Sequence, residues 1–291
     1  MSVRLKVRHL DLDQTLGCGQ AFRWTRSDTG TWQGAIGDAV VTLRREGVWL
    51  HADSLPRVPD LRERVDKYLR LEDDTERIIK ELSQDPVMAR GARSVMGLRL
   101  VKMDEWECLA SYVLATFTNI KRITRMIDRL SSDYGEPIAE GVRTFPSIEE
   151  LARATARDLR ARGLGFRAEY LAGTCRAVNG GRLDEMRRMP DDELRRALRE
   201  LPGVGEKVAD CVMLFGFGRL GAFPIDVWVR RALSRLYGVD GTYRSLQAFA
   251  ADRFGQNAGY AQEYMFYNER VLRDGSGCAF TRPDGSSCRT P

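Results

Sequence analysis

The chain has 291 residues, of which 43% are hydrophobic and 30% charged, as in an ordinary globular protein. A chain of this length buries a sizeable core and predicts two or three packed modules. Its apolar runs fall well short of the roughly 20 residues that span a bilayer, and the first ten residues, MSVRLKVRHL, lack the apolar core of a secretory signal. These features exclude a transmembrane helix and predict work inside the cell, in the cytoplasm or nucleoid of a prokaryote or the nucleus of a eukaryote.

The formal net charge is +5 and the pI is about 8.9, a basic excess that permits nucleic-acid binding. Only six of the 46 basic residues are lysines: Lys6, Lys67, Lys80, Lys102, Lys121 and Lys207. A guanidinium binds phosphate well but cannot serve as an amine nucleophile, so each lysine is a separate candidate for chemistry. The two histidines, His9 and His51, argue against a His-based triad or a His-ligated metal site.

Six cysteines are spread along the chain without a CxxC pair: Cys18, Cys108, Cys175, Cys211, Cys278 and Cys288. This spacing in an intracellular protein predicts reduced thiols rather than a disulfide framework. The tail over 274–291 is rich in Gly, Ser, Asp and Pro, which predicts irregular structure. Its two cysteines are expected to be incidental.

The chain opens with strand patterns. Val3, Leu5 and Val7 alternate with charged residues, the period of a half-buried strand. Further strands are predicted over 21–24, 32–36, 39–43 and 48–51, with hairpin turns at 37–38 and 46–47. After the Pro-containing stretch 54–59 the strand patterns cease.

Helical patterns follow. Apolar residues recur at i, i+3 and i+4 over 106–117 and 120–130, the signature of amphipathic helices. Ser147 and Glu150 resemble a capping box. Later helices are predicted over 166–178, 191–200, 206–217, 225–237, 244–254 and 258–273. The patterns predict an α+β chain, with an antiparallel β domain and trailing helix over 1–72 packed on a mainly α-helical body over 73–291.

The segment 194–230 is the most informative. Two amphipathic helices flank Gly203, Val204 and Gly205, a tight turn with backbone N–H groups at the start of the second helix. Those amides, with the helix dipole, suit a DNA phosphate. Val204 is expected to pack between the helices. A plain helix–turn–helix packing unit is the alternative.

Lys207 lies in the first turn of the second helix. An amine there can act as a nucleophile, and the positive end of the helix is expected to lower its pKa. The alternative is a lysine that binds phosphate.

The runs LPGVGEKVADC and AFPIDVWVRRAL resemble the helix-hairpin-helix (about 191–217) and the Gly/Pro/Asp loop and following helix (221–237) of the DNA glycosylase superfamily. More narrowly, the chain resembles the 8-oxoguanine DNA glycosylases. Further matching runs, in the family's order, are LGCGQAFRW (16–24), ECLASYV and NIKRITRMIDRL (107–130), RGLGFRAEYL (162–171) and YAQEYMF (260–266). The resemblance implies an N-terminal antiparallel β domain packed on a helical body.

The resemblance also implies a mechanism. Lys207 attacks the sugar C1′, displaces the base and leaves an imine, from which the lyase step follows by β-elimination. The carboxylate of Asp226 stabilises cationic charge on the deoxyribose and assists the lysine. Asp226 also stands where a helix N-cap is expected, and capping alone is the alternative.

The pocket for the damaged base is implied by the same resemblance. 8-Oxoguanine carries an N7 hydrogen that guanine lacks, and the backbone carbonyl of Gly19 matches the family's acceptor for it. Gln262 reads the Watson–Crick edge and Phe266, one helical turn later, stacks on the base. Cys211 and Pro224 are matched to the same pocket. From the residues alone, a turn glycine, a surface Gln, a core Phe and a small core Cys are the alternatives.

A further group is expected to fill the gap in the duplex and to contact the orphan cytosine and the DNA backbone. These residues are Asn119, Arg122, Phe166, Arg167 and Trp228, beside the hairpin residues Gly203, Val204 and Gly205. Phe166 replaces the family's wedge tyrosine, Phe117 the first of its asparagines, and Trp228 a histidine found in many relatives. These departures predict a looser selectivity for the opposite base than in relatives with the full run of asparagines.

Other functions compete with this one. A non-catalytic helix-hairpin-helix module needs neither Lys207 nor Asp226. A glycosylase for other damaged purines is the second alternative, and a monofunctional alkylbase glycosylase has the aspartate without the lysine. An endonuclease III-like protein needs four closely spaced C-terminal cysteines. We expect a monomer that acts on double-stranded DNA containing oxidised guanine, away from membranes. No cofactor is expected for the chemistry, although the hairpin is compatible with a structural monovalent or divalent cation beside a DNA phosphate.

Overall fold

The computed structural model describes residues 2–272, with side chains through Arg270. The tail 274–291, including Cys278 and Cys288, and the last residue of the helix predicted over 258–273 lie outside the described residues.

The N-terminal strands form one five-stranded antiparallel sheet in the order β1-β5-β4-β3-β2. The strands are β1 Ser2–Lys6, β2 Trp24–Arg26, β3 Trp32–Ile36, β4 Ala39–Glu46 and β5 Trp49–Leu55. Gly37 and Gly47, with φ of +61° and +56°, supply the two predicted hairpin turns. The predicted α+β architecture is confirmed, whereas the division at residues 72 and 73 stays a prediction.

The strand predicted over 21–24 is wrong, since β2 begins only at Trp24. Ala21 and Phe22 are both buried, so their side chains do not alternate between two faces as a strand requires. Gln20 holds this segment in place: its Nε2 donates to the Thr15 carbonyl at 2.7 Å and to the Arg99 carbonyl at 2.8 Å. Its Oε1 accepts from the Val101 amide at 3.0 Å. The segment 18–22 therefore leaves the sheet and reaches the helical body.

The rest of the described chain is mainly helical. The helices are α1 Leu12–Gly17, α2 Leu61–Tyr68, α3 Thr75–Leu82, α4 Met88–Ser94, α5 Glu105–Leu114, α6 Ile120–Tyr134, α7 Ile148–Ala152, α8 Ala156–Leu159, α9 Arg167–Val178, α10 Arg182–Arg187, α11 Asp191–Arg199, α12 Glu206–Cys211, α13 Val227–Tyr237, α14 Tyr243–Phe254 and α15 Ala258–Tyr267. Short π-helical turns extend three of them, at Arg160–Leu164, Val212–Gly216 and Asn268–Leu272. None of the helices in residues 2–272 combines the length and apolar character needed to span a bilayer.

Two local predictions differ from the structure, and one hairpin was not predicted. The helix predicted over 206–217 is α12 followed by a π-helical turn. A second hairpin, β6 Pro137–Ala139 with β7 Val142–Arg143, follows α6, and its partly exposed side chains give no burial alternation to detect. Ser147 caps α7 through the Glu150 amide, but the Glu150 carboxylate pairs with Arg153 at 2.7 Å instead of reaching back.

Candidate active site

A cavity of about 330 Å³ lies where the segment 18–22, the helices α5, α6, α12 and α15, and the start of α13 meet. Small-molecule sites occupy roughly 300–1,000 Å³, so this cavity suits a ligand of the size of one base. Nine predicted site residues line it: Gly19, Asn119, Lys207, Cys211, Pro224, Asp226, Trp228, Gln262 and Phe266. The other six, Arg122, Phe166, Arg167, Gly203, Val204 and Gly205, lie outside its lining.

Lys207 points its amine at one wall of the cavity. Nζ lies 4.9 Å from the centroid of the Tyr112 ring, and the thiol of Cys211, one turn further along α12, is near enough to raise the pKa of the amine. The Tyr112 hydroxyl donates to the Gln20 carbonyl at 3.2 Å, and its ring stacks on Phe215. The face of the Tyr112 ring therefore positions the amine.

The charge environment of Lys207 differs from the prediction. Burial lowers the pKa of the amine, but Cys211 and Asp226 raise it by more, so the pKa lies above its usual value. The expected lowering by the start of α12 is therefore wrong. Burial raises the pKa of the Cys211 thiol to about 12, although Lys207 acts in the opposite direction.

Asp226 is the N-cap of α13 and also lines the cavity. Its Oδ1 accepts from the backbone amides of Trp228 and Val229, both at 2.9 Å. Because both capping bonds end on Oδ1, Oδ2 stays available to a ligand. Capping and a role in the cavity are thus compatible in one side chain.

A buried carboxylate ties the elements that carry Lys207 and Asp226 to each other. Asp210, on α12, is fully buried and accepts from Arg195 Nε at 2.9 Å and from the Tyr243 hydroxyl at 2.6 Å. That hydroxyl in turn accepts from the backbone amide of Ile225 at 3.2 Å, one residue before Asp226. The sequence gives little signal for this link because Arg195 and Tyr243 lie 15 and 33 residues from Asp210 along the chain.

The hairpin that precedes α12 has two different glycines. A Cβ on Gly203, where φ is +77°, would meet the Tyr170 ring at 2.6 Å, so the close packing and the backbone both require glycine. A Cβ on Gly205 would meet nothing within 4 Å, which leaves its backbone open to a ligand. Val204 is buried, as predicted from its place between the helices.

The base-binding wall comes from α15 and the segment 18–22. Gln262 is only 4% exposed, and its Oε1 has no hydrogen-bond partner among the described residues. Phe266 lies one turn later, with the Arg270 guanidinium 5.3 Å from its ring centroid. Arg270 Nη1 also donates to the Cys18 carbonyl at 2.7 Å, so it connects α15 to the backbone beside Gly19.

Comparison with known proteins decides the family. Residues 2–109 match the family described as 8-oxoguanine DNA glycosylase, N-terminal domain, and residues 110–254 match the HhH-GPD superfamily base excision DNA repair proteins. The N-glycosylase/DNA lyase of Arabidopsis thaliana is 32% identical over 96% of this chain and 83% of its own length. The chain belongs to the 8-oxoguanine DNA glycosylase family.

Solved structures agree with this family assignment. The 8-oxoguanine glycosylase/lyase of Clostridium acetobutylicum, in its apo-form, superposes with a TM-score of 0.86 at 31% identity and covers 91% of this chain and 95% of that one. A structure of MBOgg1 in complex with a low affinity DNA ligand gives 0.89 at 34% identity, over 94% and 96% of the two chains. The predicted resemblance to the 8-oxoguanine glycosylase family is confirmed.

Two elements beside the cavity carry residues that are expected to contact the orphan base. They are the turn before α6 and the start of α9. Asn119 caps α6, with its Oδ1 accepting from the Arg122 amide at 3.0 Å. Arg167 is buried and donates through Nε to the Thr116 carbonyl at 2.9 Å and through Nη2 to the Phe117 carbonyl at 3.0 Å. In this structure Arg167 therefore anchors the turn, and its role toward cytosine stays a prediction.

Two phenyl rings stand out from the same surface. Phe117 is 93% exposed and Phe166 is 48% exposed. Phe117 has a φ of +50°, a left-handed conformation that a bulky residue adopts only when its surroundings impose it. Arg167 supplies that constraint through its bond to the Phe117 carbonyl, and it also stacks on Phe166, 4.4 Å from the ring centroid.

Sequence reasoning missed several residues of this glycosylase's cavity, above all Tyr112, Glu263 and Arg270. Glu263 is 2% exposed and directly follows Gln262. Desolvation raises its pKa to about 7. A charged residue inside the apolar run YAQEYMF was the one available signal, since buried carboxyl groups are rare without a partner.

Proposed function

We propose that the chain excises 8-oxoguanine from duplex DNA and then cleaves the strand at the emptied sugar, as a bifunctional glycosylase and lyase. The observation that carries the proposal is the presence of the Lys207 amine and the Asp226 carboxyl group in one base-sized cavity. A DNA-binding module without chemistry has no need for an amine and a carboxylate on the walls of such a cavity. The N-glycosylase/DNA lyase relatives support the same activity.

The steps follow from the residues around the cavity. The flipped nucleotide enters with its base against Gln262 and Phe266. The unprotonated Lys207 amine attacks C1′, the bond from C1′ to the base breaks, and the base leaves with its electron pair and takes up a proton. The nitrogen then loses a proton and the C1′–O4′ bond breaks, which opens the sugar ring, leaves O4′ as a hydroxyl group and gives the imine. Loss of a C2′ proton expels the 3′ phosphate oxygen.

Asp226 stabilises the positive charge that develops during these steps, and the neighbours of Lys207 set the pKa of its amine. Positive charge develops at C1′ as the base departs, and a carboxylate in the same cavity stabilises it. Because the pKa of Lys207 lies above its usual value, the amine must lose a proton before it attacks. We therefore expect excision to become faster as the pH rises through the range where Lys207 deprotonates.

The main test is borohydride trapping of the imine on an 8-oxoguanine duplex. Lys207→Gln is expected to abolish trapping and base release while binding to the damaged duplex is retained, since the amide has no nucleophilic amine. Lys67→Gln makes the same change of charge at an exposed position on α2 and is expected to keep both activities. Wild-type turnover by Lys207→Gln would contradict the proposal.

We propose further that the chemistry needs no metal ion and takes place wherever the cell keeps its DNA. Within residues 2–272 no group of three or more His, Cys, Asp or Glu side chains is placed to hold a metal. Excision by protein treated with EDTA is expected to match that of untreated protein. A loss of activity that added Mg²⁺ or Zn²⁺ restores would overturn this part of the proposal.

A further inference from the structure

Glu263 lines the cavity, is 2% exposed, and carries an oxygen, Oε1, without a hydrogen-bond partner in residues 2–272. A buried polar atom that lacks a partner costs stability. The carboxyl group therefore calls for an explanation that the fold alone does not supply. The mechanism above, which uses Lys207, Asp226, Gln262 and Phe266, gives it no role.

The position of Glu263 on α15 places it toward a different part of the base from Gln262. Consecutive residues of an α-helix project about 100° apart, so the two side chains leave the helix in different directions. Glu263 lies close enough to Cys18 for the thiol to lower the pKa of its carboxyl group, and Arg270 donates to the Cys18 carbonyl at 2.7 Å. Glu263 thus belongs to the wall formed by Cys18 and Gly19.

The pKa of Glu263 depends on its burial and on the charged and titratable groups of the neighbouring elements. Desolvation and Asp226 raise the pKa of its carboxyl group, whereas the Cys18 thiol, Arg270 and Lys207 lower it, and the resulting pKa is about 7. Tyr112, on α5, faces the same group and is itself uncharged at this pH because burial raises its pKa. Below about pH 7 the carboxyl group therefore carries a proton and can act as a hydrogen-bond donor.

The wall beside Gly19 is where the two forms of guanine differ. 8-Oxoguanine presents an N7–H donor and a C8 carbonyl acceptor, whereas guanine presents a bare N7 and a C8–H. A backbone carbonyl can accept from N7–H, but a donor is needed to bond the C8 oxygen. An uncharged carboxyl group supplies that donor and a carboxylate does not.

We propose that Glu263 is a specificity-determining residue whose carboxyl O–H donates to the C8 oxygen of the flipped base, beside the Gly19 carbonyl. This inference rests on the proposed function and deepens it. It assigns recognition of the lesion's own carbonyl oxygen to a side chain, where the resemblance supplied only a backbone acceptor for N7–H. It also makes recognition depend on the protonation of Glu263.

The experiment compares Glu263→Ala and Glu263→Gln with wild type in single-turnover excision of 8-oxoguanine and in cleavage of a preformed abasic site. Glu263→Ala is expected to slow excision about tenfold at pH 7, the size of one lost hydrogen bond in a buried site. Its excision is expected to fall about tenfold more than its abasic-site cleavage, because an abasic site has no base to read. Equal losses on the two substrates, or no loss on 8-oxoguanine, would overturn the inference.

The pH profile supplies the second readout. Wild-type excision of 8-oxoguanine is divided by its cleavage of a preformed abasic site at the same pH, so that the dependence on Lys207, which both reactions share, cancels. This ratio is expected to fall on the alkaline side of about pH 7 as Glu263 ionises. Glu263→Gln keeps an N–H donor at every pH and is expected to lose that alkaline fall. Glu107→Gln removes another carboxyl group whose pKa burial raises, on α5 and outside the cavity lining, and is expected to keep it. An alkaline fall that persists in Glu263→Gln would overturn the inference.

Failure of the inference can be distinguished from failure of the proposed function. If wild type forms the borohydride adduct with 8-oxoguanine DNA and Lys207→Gln does not, the proposed function stands whatever Glu263 does. If Lys207→Gln excises the base as wild type does, the proposed function fails independently of the Glu263 variants.

Discussion

At the scale of single residues, Gly19 is the most constrained position in the cavity wall. Its φ is +103°, and a Cβ there would lie 2.3 Å from Ile120 Cδ1 and 3.0 Å from Arg270 Nη1. Both the backbone conformation and the space therefore require glycine. We expect Gly19→Ala to push Ile120 and Arg270 out of the wall and to lower excision of 8-oxoguanine by two orders of magnitude or so, since small displacements in a site have effects of about this size.

Gly17 provides the matched control two residues earlier. A Cβ on Gly17, the last residue of α1, would meet the Trp32 ring at 3.4 Å, an ordinary contact. Gly17→Ala is expected to leave excision and thermal stability near wild type. Single-turnover rates and thermal unfolding of the two variants, measured side by side, decide the point. Normal excision by Gly19→Ala would show that the wall does not touch the base.

Single residues could be assigned from sequence only where the signal is local. Lys207 and Asp226 follow glycine and proline turns directly, so their places at helix starts were readable and the structure agrees. The pKa of Lys207 was not readable, because Cys211, Asp226 and the cavity walls set it together. Glu263 and Tyr112 were missed for the same reason: their burial depends on segments that are distant in the chain.

At the scale of elements, the turn between α5 and α6 carries the departures from the family's pattern. Arg167 donates through Nε and Nη2 to the carbonyls of Thr116 and Phe117, so fewer of its N–H groups are available to an orphan base. The Phe117 ring can stack in the gap left by a flipped base, but it has no amide with which to read cytosine. We therefore expect the chain to prefer cytosine opposite the lesion without requiring it.

Substitution of Phe117 tests this expectation. Phe117→Ala is expected to slow excision about 5- to 150-fold, the equivalent of 1–3 kcal/mol of base stacking. Its unfolding free energy should change by less than about 0.5 kcal/mol because the ring is exposed. Phe117→Asn is expected to sharpen the preference for cytosine roughly tenfold. Val48→Ala, which removes an exposed apolar side chain beside the β4–β5 turn, serves as the control.

The measurement is single-turnover excision from four duplexes that differ only in the base opposite the lesion. Near-absolute dependence on cytosine in the wild type would contradict the expectation. It would also indicate that Asn119, Arg122 or the remaining Nη1 of Arg167 reads the base.

Most elements were predicted correctly where buried residues recur at the spacing of one kind of element, every second residue in a strand or every third to fourth in a helix. The strands β3 to β5, the helix α9 and the helices α11 to α15 fall within a few residues of their predicted positions, whereas α10 was not predicted. The segment 21–24 was mistaken for a strand because it is short and mostly apolar. The sequence does not show that this segment forms part of the cavity wall instead. The β6–β7 hairpin was missed because it buries too little to leave a pattern.

At the scale of the whole molecule, the ionisation of Glu263 is expected to affect both the stability of the fold and the recognition of the base. Its pKa is about 7 in the folded chain against an ordinary value of 4.5, so between these values the folded state binds more protons than the unfolded state. The unfolding free energy should therefore fall as the pH rises from about 4.5 to about 7, and the loss should be complete about one unit above. A shift of this size corresponds to roughly 3 kcal/mol.

Glu263→Gln removes this ionisation and keeps the shape of the uncharged side chain. We expect the variant to match wild type near pH 4 and to exceed its unfolding free energy by up to about 3 kcal/mol at pH 8. Denaturant unfolding of both proteins across this range gives the difference curve, in which the contributions of other titrating groups cancel. Glu81→Gln offers a control of opposite sign, because Arg77 and Asn257 lower the pKa of Glu81. Its variant should lose stability relative to wild type at neutral pH and approach it in acid. If the Glu263 difference curve is flat between pH 4 and 8, the pKa of the carboxyl group is the same in the folded and the unfolded chain. The group is then ionised at neutral pH and cannot be the donor that recognises the lesion.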